Sequence, residues 1–144
     1  MQTKKDQSFG FVPLFKTEDG YLFCLVQHTG EHWGFPKGHS NEGESERESA
    51  KRELAEETGI LDINIIEEVY FSQNYSFEKD GTIYDKSVKY FLGLVGCVTS
   101  EVPEEFKSEI SQIKWLPYDQ ARNLITYENA KEVLDNAHKY LTSK

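Results

Sequence analysis

The chain has 144 residues, a formal net charge of −9, 38% hydrophobic residues and 28% charged residues. These values are typical of one globular domain, and no stretch reaches the roughly 18 consecutive apolar residues of a membrane span. The charge disfavours a broad basic surface for nucleic acid, and the first fifteen residues lack the features of a secretory signal. We therefore expect a cytoplasmic protein whose residues 1–144 form a single domain.

Two strands open the predicted fold, at residues 8–15 and 21–28, joined by a turn at residues 17–20. A glycine-rich stretch, roughly residues 29–44, follows. Ser45 and Glu48 then have the spacing of a capping box, and Gly59 is suited to end a helix in left-handed geometry. The sequence therefore predicts a helix of about four turns between Ser45 and Gly59.

The second half of the chain is predicted to be mostly sheet. Residues 63–77, 86–98 and 110–116 are rich in β-forming side chains. From Tyr127 onward apolar residues recur every three or four positions, which predicts a closing amphipathic helix with Ala130, Val133, Leu134, Ala137 and Leu141 on its buried face. This order favours an α/β fold in which a mixed β-sheet lies between helices, an α/β/α sandwich.

The two cysteines lie in apolar, strand-like segments. Neither Cys24 nor Cys97 has a second cysteine or a histidine at metal-binding spacing. We expect both to be free, buried thiols.

Three glutamates on the predicted helix are candidate ligands of a metal ion. Glu53, Glu56 and Glu57 stand at positions i, i+3 and i+4, so their side chains share an arc of about 100°. Their mutual repulsion costs helix stability, and a bound Mg²⁺ or Mn²⁺ would offset that cost because carboxylate oxygens are its preferred ligands. Taken alone, the same spacing is also typical of a solvated acidic helix face.

The surrounding pattern favours the metal-binding alternative. Residues 38–60 read GHSNEGESERESAKRELAEETGI and match every fixed position of Gly-x5-Glu-x7-Arg-Glu-U-x-Glu-Glu-x-Gly-U, where U is aliphatic. This is the pattern of the Nudix box, and the chain resembles the Nudix hydrolase superfamily. The resemblance implies that Glu53, Glu56 and Glu57 bind Mg²⁺, with Mn²⁺ as the other possibility, and orient or deprotonate a water molecule.

The resemblance also assigns supporting roles within the box. It implies that Arg52 orients a catalytic glutamate through a salt bridge and that Glu44 holds the loop, while Gly38 and Gly59 permit tight backbone turns. One departure concerns the loop itself, which has Asn41-Glu42 where relatives commonly have Glu-Pro. A less rigid loop is therefore expected.

Residues just before the helix of the box indicate which substrate the protein takes. Residues 32–39, HWGFPKGH, include Lys37, a point charge well placed to meet an oligophosphate. Together with the box, this run resembles the asymmetrical diadenosine tetraphosphate hydrolases. His32 could donate a hydrogen bond to a phosphate and His39 could orient the loop, although each could equally be a local hydrogen-bonding residue.

Three downstream features resemble the same group of hydrolases. The strand Lys86-Ser87-Val88-Lys89-Tyr90-Phe91 implies that Lys86 meets phosphate and Tyr90 stacks on a nucleobase. Tyr127 would be the second aromatic ring against the adenine, and Glu109 an additional metal-binding or catalytic glutamate. Both tyrosines could instead be ordinary core or half-buried residues.

These observations predict Mg²⁺-dependent hydrolysis of diadenosine tetraphosphate to ATP and AMP by metal-activated water, with Glu53 or Glu109 accepting the proton. A small nucleotide substrate is the expected partner, with neither a membrane nor an extended nucleic-acid surface. The alternatives are an RNA 5′-pyrophosphohydrolase, another nucleoside di- or triphosphate hydrolase, and a regulator that binds nucleotides without cleaving them. The last disagrees with the complete set of box glutamates.

Overall fold

The computed structural model describes residues 2–98 and 100–143, so Met1, Thr99 and Lys144 of the predicted domain lie outside the described residues. Within these ranges the strands are β1 (Gln2–Lys16), β2 (Tyr21–His28), β3 (Trp33–Gly34), β4 (Lys37–His39), β5 (Asn64–Lys79), β6 (Thr82–Leu94) and β7 (Ile110–Leu116). The helices are α1 (Glu46–Thr58), α2 (Tyr118–Leu124) and α3 (Glu128–Thr142), with a 3-10 turn at Glu104–Phe106. None of these helices has both the length and the apolar character that a membrane crossing requires.

All seven strands join one sheet, ordered β3-β2-β1-β6-β5, with β4 paired to β1 and β7 paired to β2. Strands β1 and β6 run parallel, whereas their other partners run antiparallel. The sheet is therefore mixed, as predicted. β1 is the central strand of this order, and helix α1 packs against it.

Alternation along β1 divides the core between the two faces of the sheet. Phe9 and Phe11 pack with Ala50 and Leu54 of α1. On the opposite face, the β1 residues Val12 and Leu14 join a larger cluster with apolar residues of α2 and α3, namely Ala121, Ile125, Ala130, Val133, Leu134 and Ala137. Helices therefore cover both faces, which confirms the α/β/α prediction.

The ends of α1 match the local sequence signals. The side chain of Ser45 accepts a hydrogen bond from the Glu48 amide, and the Glu48 carboxylate accepts one from the Ser45 amide. Gly59 ends the helix with φ 75°, in the left-handed region. The predicted capping box and helix end are both confirmed.

Substituting Gly59 with alanine is expected to lower the free energy of unfolding by about 2 kcal/mol. An added Cβ would strain the positive φ and would lie 2.5 Å from the carbonyl oxygen of Glu101. Urea denaturation of the variant measures the effect. Gly96→Ala is the matched control, because no heavy atom lies within 4 Å of a Cβ added there, and an equal loss in both variants would contradict the argument.

Several element boundaries differ from the predictions. β1 begins at Gln2 rather than residue 8, and β6 covers Thr82–Leu94 rather than residues 86–98. The β6 prediction was wrong at its end because Val95 donates to the Leu14 carbonyl and the chain then bends away. Cys97 consequently lies beyond the sheet and is exposed, so its predicted burial was wrong, whereas Cys24 is buried; both are free thiols.

The hairpin joining β5 and β6 was not predicted. Lys79 pairs with Thr82 across a two-residue turn, formed by Asp80 and Gly81 with φ of 52° and 78°. Positive φ at both central residues is the geometry of tight hairpin turns, and Asp-Gly is a favoured sequence for it. This turn fixes which residues of β5 lie beside those of β6, and therefore what surrounds the candidate site.

Candidate active site

Helix α1 presents its three box glutamates along one edge, beside β4. Glu57 is 6% exposed, and the side chains of Glu53 and Glu56 are 13% and 26% exposed. Gly38 of β4 lies directly against Glu53, because a Cβ added at Gly38 would be 2.1 Å from the Glu53 carboxyl carbon. The absence of a side chain at residue 38 therefore leaves room for this carboxylate.

Glu53, Glu56 and Glu57 form what we call the acidic edge. Arg52 connects this edge to the preceding loop. Its Nη1 donates to Glu53 and to Glu56, each at 3.0 Å. Its Nε donates to Glu44 at 2.8 Å and its Nη2 to the His39 carbonyl at 2.7 Å. The guanidinium therefore holds Glu53 and Glu56 at fixed positions relative to the loop.

Glu44 organises the loop between β4 and α1. Besides Arg52, its carboxylate accepts hydrogen bonds from the Asn41 amide at 2.7 Å and from the Ser49 hydroxyl at 3.1 Å. The Glu44 amide donates back to the Asn41 carbonyl. The side-chain hydrogen bonds, that to Arg52 first, lower the pKa of Glu44 to about 2. Asn41 is thus part of a hydrogen-bonded turn. The expectation that this loop is less rigid than in relatives concerns its motion and stays a prediction.

Burial makes the Glu57 carboxyl group harder to ionise than an exposed glutamate. It accepts a hydrogen bond from the Lys37 amide at 3.3 Å, and within the described chain it forms no ion pair. Burial, with the nearby Glu53 carboxylate as the next cause, raises the pKa of Glu57 to about 8. Burial and the Glu56 carboxylate likewise raise the pKa of Glu53. Ionising all three carboxylates would therefore place more negative charge at this edge than Arg52 alone neutralises.

A divalent cation fits this donor set. The edge offers hard oxygen ligands and a buried carboxylate that lacks an ionic partner. Among residues 2–98 and 100–143, no three or more histidine, cysteine or acidic side chains already form a metal-ligating group. One reason is that Arg52 holds both Glu53 and Glu56, so we expect metal binding to release at least one of these carboxylates from the guanidinium.

Glu109 is exposed, just before β7. Its carbonyl accepts a hydrogen bond from the Thr29 amide, which ties this segment to the loop after β2. Its negative charge contributes to the raised pKa of both Glu53 and Glu57. The Glu109 charge therefore acts on the acidic edge, and its metal-binding or catalytic role stays a prediction.

A cavity of about 430 Å³ lies beside this acidic edge. We call it the ring pocket, because rings line much of it: His28, His32, Trp33, Phe35, Tyr75, Tyr90 and Tyr127. The rings of His28 and His32 are stacked with centroids 4.8 Å apart, and Tyr127 lies 5.4 Å from His32. Lys37 lines the same cavity and therefore links it to Glu57.

The histidines of the ring pocket are held in their neutral form at pH 7. Burial, followed by the neighbouring His32, lowers the pKa of His28 to about 4. Burial and the Lys37 charge also lower the pKa of His32. Neutral imidazoles suit a stacked array beside an uncharged base. The place of His28 in the cavity was not predicted from the sequence.

Tyr127 is well placed for stacking. It precedes α3 and is 55% exposed. The adjacent Thr126 anchors the segment, because its hydroxyl accepts from the Trp33 amide at 2.8 Å and its own amide donates to the Trp33 carbonyl. Tyr127 thus presents a ring to the cavity from an anchored backbone, and its stacking on a base stays a prediction.

Tyr90 contributes differently from the prediction. It is 1% exposed, its hydroxyl donates to Gln73 at 3.2 Å, and Phe35 packs against its ring. Its face is therefore not available for stacking on a base in this structure, because Tyr90 is buried on β6, an inner strand between β1 and β5. Tyr75, missed by the sequence analysis, lines the cavity and is 37% exposed. The Asp80-Gly81 turn could have predicted the position of Tyr75, because it fixes which residues of β5 lie beside those of β6.

Lys86 also differs from its predicted role. It is 6% exposed, and its Nζ donates to Asp6 at 3.0 Å and to Ser8 at 2.6 Å. It also lies 3.3 Å from Nε2 of His39, which is itself 2.7 Å from Asp6. Lys86 is thus occupied by neighbours on β1 and β4 and does not line the ring pocket. A direct phosphate contact requires it to leave Asp6.

Substituting Gly38 with alanine is expected to lower kcat/KM about tenfold for the hydrolysis that the resemblance implies, because the added Cβ displaces Glu53. Steady-state kinetics measure the effect. A double-mutant cycle tests the cause, since Gly38→Ala should have little further effect once Glu53→Ala has removed the carboxylate. A loss of about tenfold in kcat/KM from Gly38→Ala in the Glu53→Ala protein as well would contradict the argument.

Comparison with known proteins defines the class. Residues 4–137 match the NUDIX domain family, and the chain therefore belongs to the Nudix hydrolases. An asymmetrical bis(5′-nucleosyl)-tetraphosphatase from Sus scrofa is 36% identical over 126 residues, which cover 84% of this chain and 81% of that protein. An RNA pyrophosphohydrolase from Bartonella bacilliformis is 32% identical over 96 residues, covering 58% of this chain and 56% of that protein.

A solved structure agrees with the sequence relatives. The crystal structure of a C. elegans Ap4A hydrolase binary complex superposes with a TM-score of 0.81 at 26% identity, covering 96% of this chain and 99% of that chain. The predicted family and its fold are confirmed.

Proposed function

We propose that this Nudix hydrolase cleaves diadenosine tetraphosphate into ATP and AMP with Mg²⁺. The observation that carries the proposal is the position of Lys37. Its amide donates to Glu57 of the acidic edge, and the residue also lines the ring pocket. A nucleobase in the cavity would therefore place its phosphates beside the carboxylates. The similarity to the Sus scrofa enzyme supports the same substrate.

Carboxylates of Glu53, Glu56 and Glu57, joined by Glu109, would hold the divalent cation. When bound, the cation would neutralise phosphate charge and lower the pKa of a nearby water. A water molecule would attack one phosphorus in line, and the phosphoanhydride bond would break to give AMP and ATP. A carboxylate oxygen of Glu53 or Glu109 accepts the water's proton, while Arg52 holds Glu53 in position.

Base recognition follows from the rings. Tyr127 and Tyr75 both line the cavity and are partly exposed there, so each can offer a ring face to a base. A base between them would gain about 1–3 kcal/mol from stacking. Such stacking tolerates different bases, so specificity would depend mainly on the polyphosphate.

The test is a substrate panel at fixed Mg²⁺, with products resolved by chromatography. Diadenosine tetraphosphate should give ATP and AMP in equal amounts and at the highest kcat/KM. Purified Glu57→Gln protein controls for contaminating hydrolases. Symmetrical cleavage to two ADP, or clearly faster hydrolysis of another nucleotide, would contradict the proposal.

The second candidate is an RNA 5′-pyrophosphohydrolase, favoured by the 32% identity to the Bartonella enzyme. The net charge of −9 disfavours a long polyanion but permits contact with one triphosphorylated end. Triphosphorylated RNA belongs in the same panel, under identical Mg²⁺. Release of pyrophosphate from RNA at a rate above that of dinucleotide cleavage would favour this candidate.

A further inference from the structure

An aromatic surface extends from the ring pocket along the sheet. In register, Tyr75 of β5 lies beside Lys86 of β6, and Phe77 beside Tyr84. Alternation places Tyr75 and Phe77 on the same face as Gln73, which lines the ring pocket. The pocket therefore continues outward onto the β5–β6 hairpin without changing face.

The outer part of this surface is a stacked aromatic pair. The rings of Phe77 and Tyr84 have centroids 5.1 Å apart and are inclined by 17°. Phe77 is 40% exposed, and its ring lies 6.2 Å from that of Tyr75. We call Phe77 and Tyr84 the outer platform. Large apolar rings exposed beside a ligand cavity indicate a binding surface.

Positive charge accompanies the outer platform. Lys4 of β1 pairs in register with Tyr84, so its side chain emerges on the same face, and it is exposed. An exposed ammonium beside exposed rings complements a ligand that combines a base with phosphates. The platform is thus continuous with the pocket and matched in charge to a nucleotide.

We infer that the outer platform binds the second nucleobase of a dinucleoside polyphosphate, while the ring pocket binds the first. This inference rests on the proposed function. Phe77 lies two residues beyond Tyr75, about 7 Å along β5, so the phosphate chain must fold back from the acidic edge. Its many single bonds allow that, and Lys4 is placed to meet it.

The test compares two ligands that differ by one nucleoside, diadenosine tetraphosphate and adenosine 5′-tetraphosphate. Phe77→Leu removes the aromatic face and keeps an apolar side chain. It should raise KM for the dinucleoside about fivefold, from the loss of stacking on one face, and leave KM for the single-base ligand unchanged. Tyr70→Leu is the matched control, because Tyr70 is 56% exposed on the same strand and lies on the opposite face, under Lys89.

Equal KM changes for both ligands, or no change for either, would overturn the inference. Calorimetric Kd values, measured with Ca²⁺ in place of Mg²⁺ to slow turnover, separate this failure from that of the proposed function. Selective loss of dinucleoside affinity in Phe77→Leu supports the outer platform even if cleavage is slow. Wild-type protein that binds but never cleaves diadenosine tetraphosphate overturns the proposed function alone, and wild-type protein that does not bind it overturns both.

Discussion

Replacing Glu57 with glutamine is expected to lower kcat about 10³-fold at saturating Mg²⁺, because loss of a charged ligand removes several kcal/mol of stabilisation from the developing charge on the phosphates. The fold should remain intact. Glutamine keeps an oxygen to accept the 3.3 Å hydrogen bond from the Lys37 amide. Single-turnover kinetics with diadenosine tetraphosphate measure the loss.

The matched control for this prediction is Glu42→Gln. Glu42 lies in the loop that precedes α1 and is exposed, so neutralising it changes the net charge equally without touching the acidic edge. We expect kcat to stay within about twofold of wild type. Near-normal turnover in Glu57→Gln, or equal losses in both variants, would contradict the role given to Glu57.

The metal-free protein is expected to lose stability as the pH rises. The pKa of Glu57 is raised from 4.5 to about 8 in the folded state. Its contribution to stability is therefore complete below about pH 4.5 and is lost as the pH approaches 8. Between pH 6.5 and 8.5 the free energy of unfolding should fall by about 2 kcal/mol.

The chosen pH window avoids an opposing effect of His28. Its pKa is lowered from 6.5 to about 4, so its contribution is present above pH 6.5 and is lost as the pH falls towards 4. Urea denaturation across the window measures the trend, with Glu57→Gln as the control that should be nearly flat. Millimolar Mg²⁺ should reduce the slope in wild type, because the cation stabilises the ionised carboxylates. A wild-type profile as flat as that of the variant would contradict the assignment.

Much of the fold could be predicted because its signals are local. The Ser45–Glu48 capping box and the left-handed Gly59 are encoded within a few residues of the helix ends, and the structure reproduces both. The hairpin between β5 and β6 was also locally encoded, by Asp80-Gly81, but was not recognised. Helix α2 has only seven residues, too few to give a clear periodicity.

The candidate site also combines features that are encoded locally with features that depend on distant residues. The spacing of the box glutamates on one helix was sufficient to place them together, since a helix has a fixed period. The surroundings of Lys86 and Tyr90 were not accessible from sequence, because Lys86 pairs with Asp6, 80 residues away, and Tyr90 packs against Phe35 across the core. Their burial depends on strand register, which the sequence pattern left open.

The central claim is that Glu53, Glu56 and Glu57 bind a divalent cation against the phosphates of a nucleotide. Anomalous diffraction from crystals grown with Mn²⁺ and a non-hydrolysable dinucleoside polyphosphate tests it most directly. The account predicts a manganese peak within about 2.2 Å of oxygens from these glutamates, with Arg52 displaced from at least one of them and a base beside Tyr127. A manganese peak elsewhere, or a nucleotide bound while Arg52 still holds both Glu53 and Glu56, would contradict it.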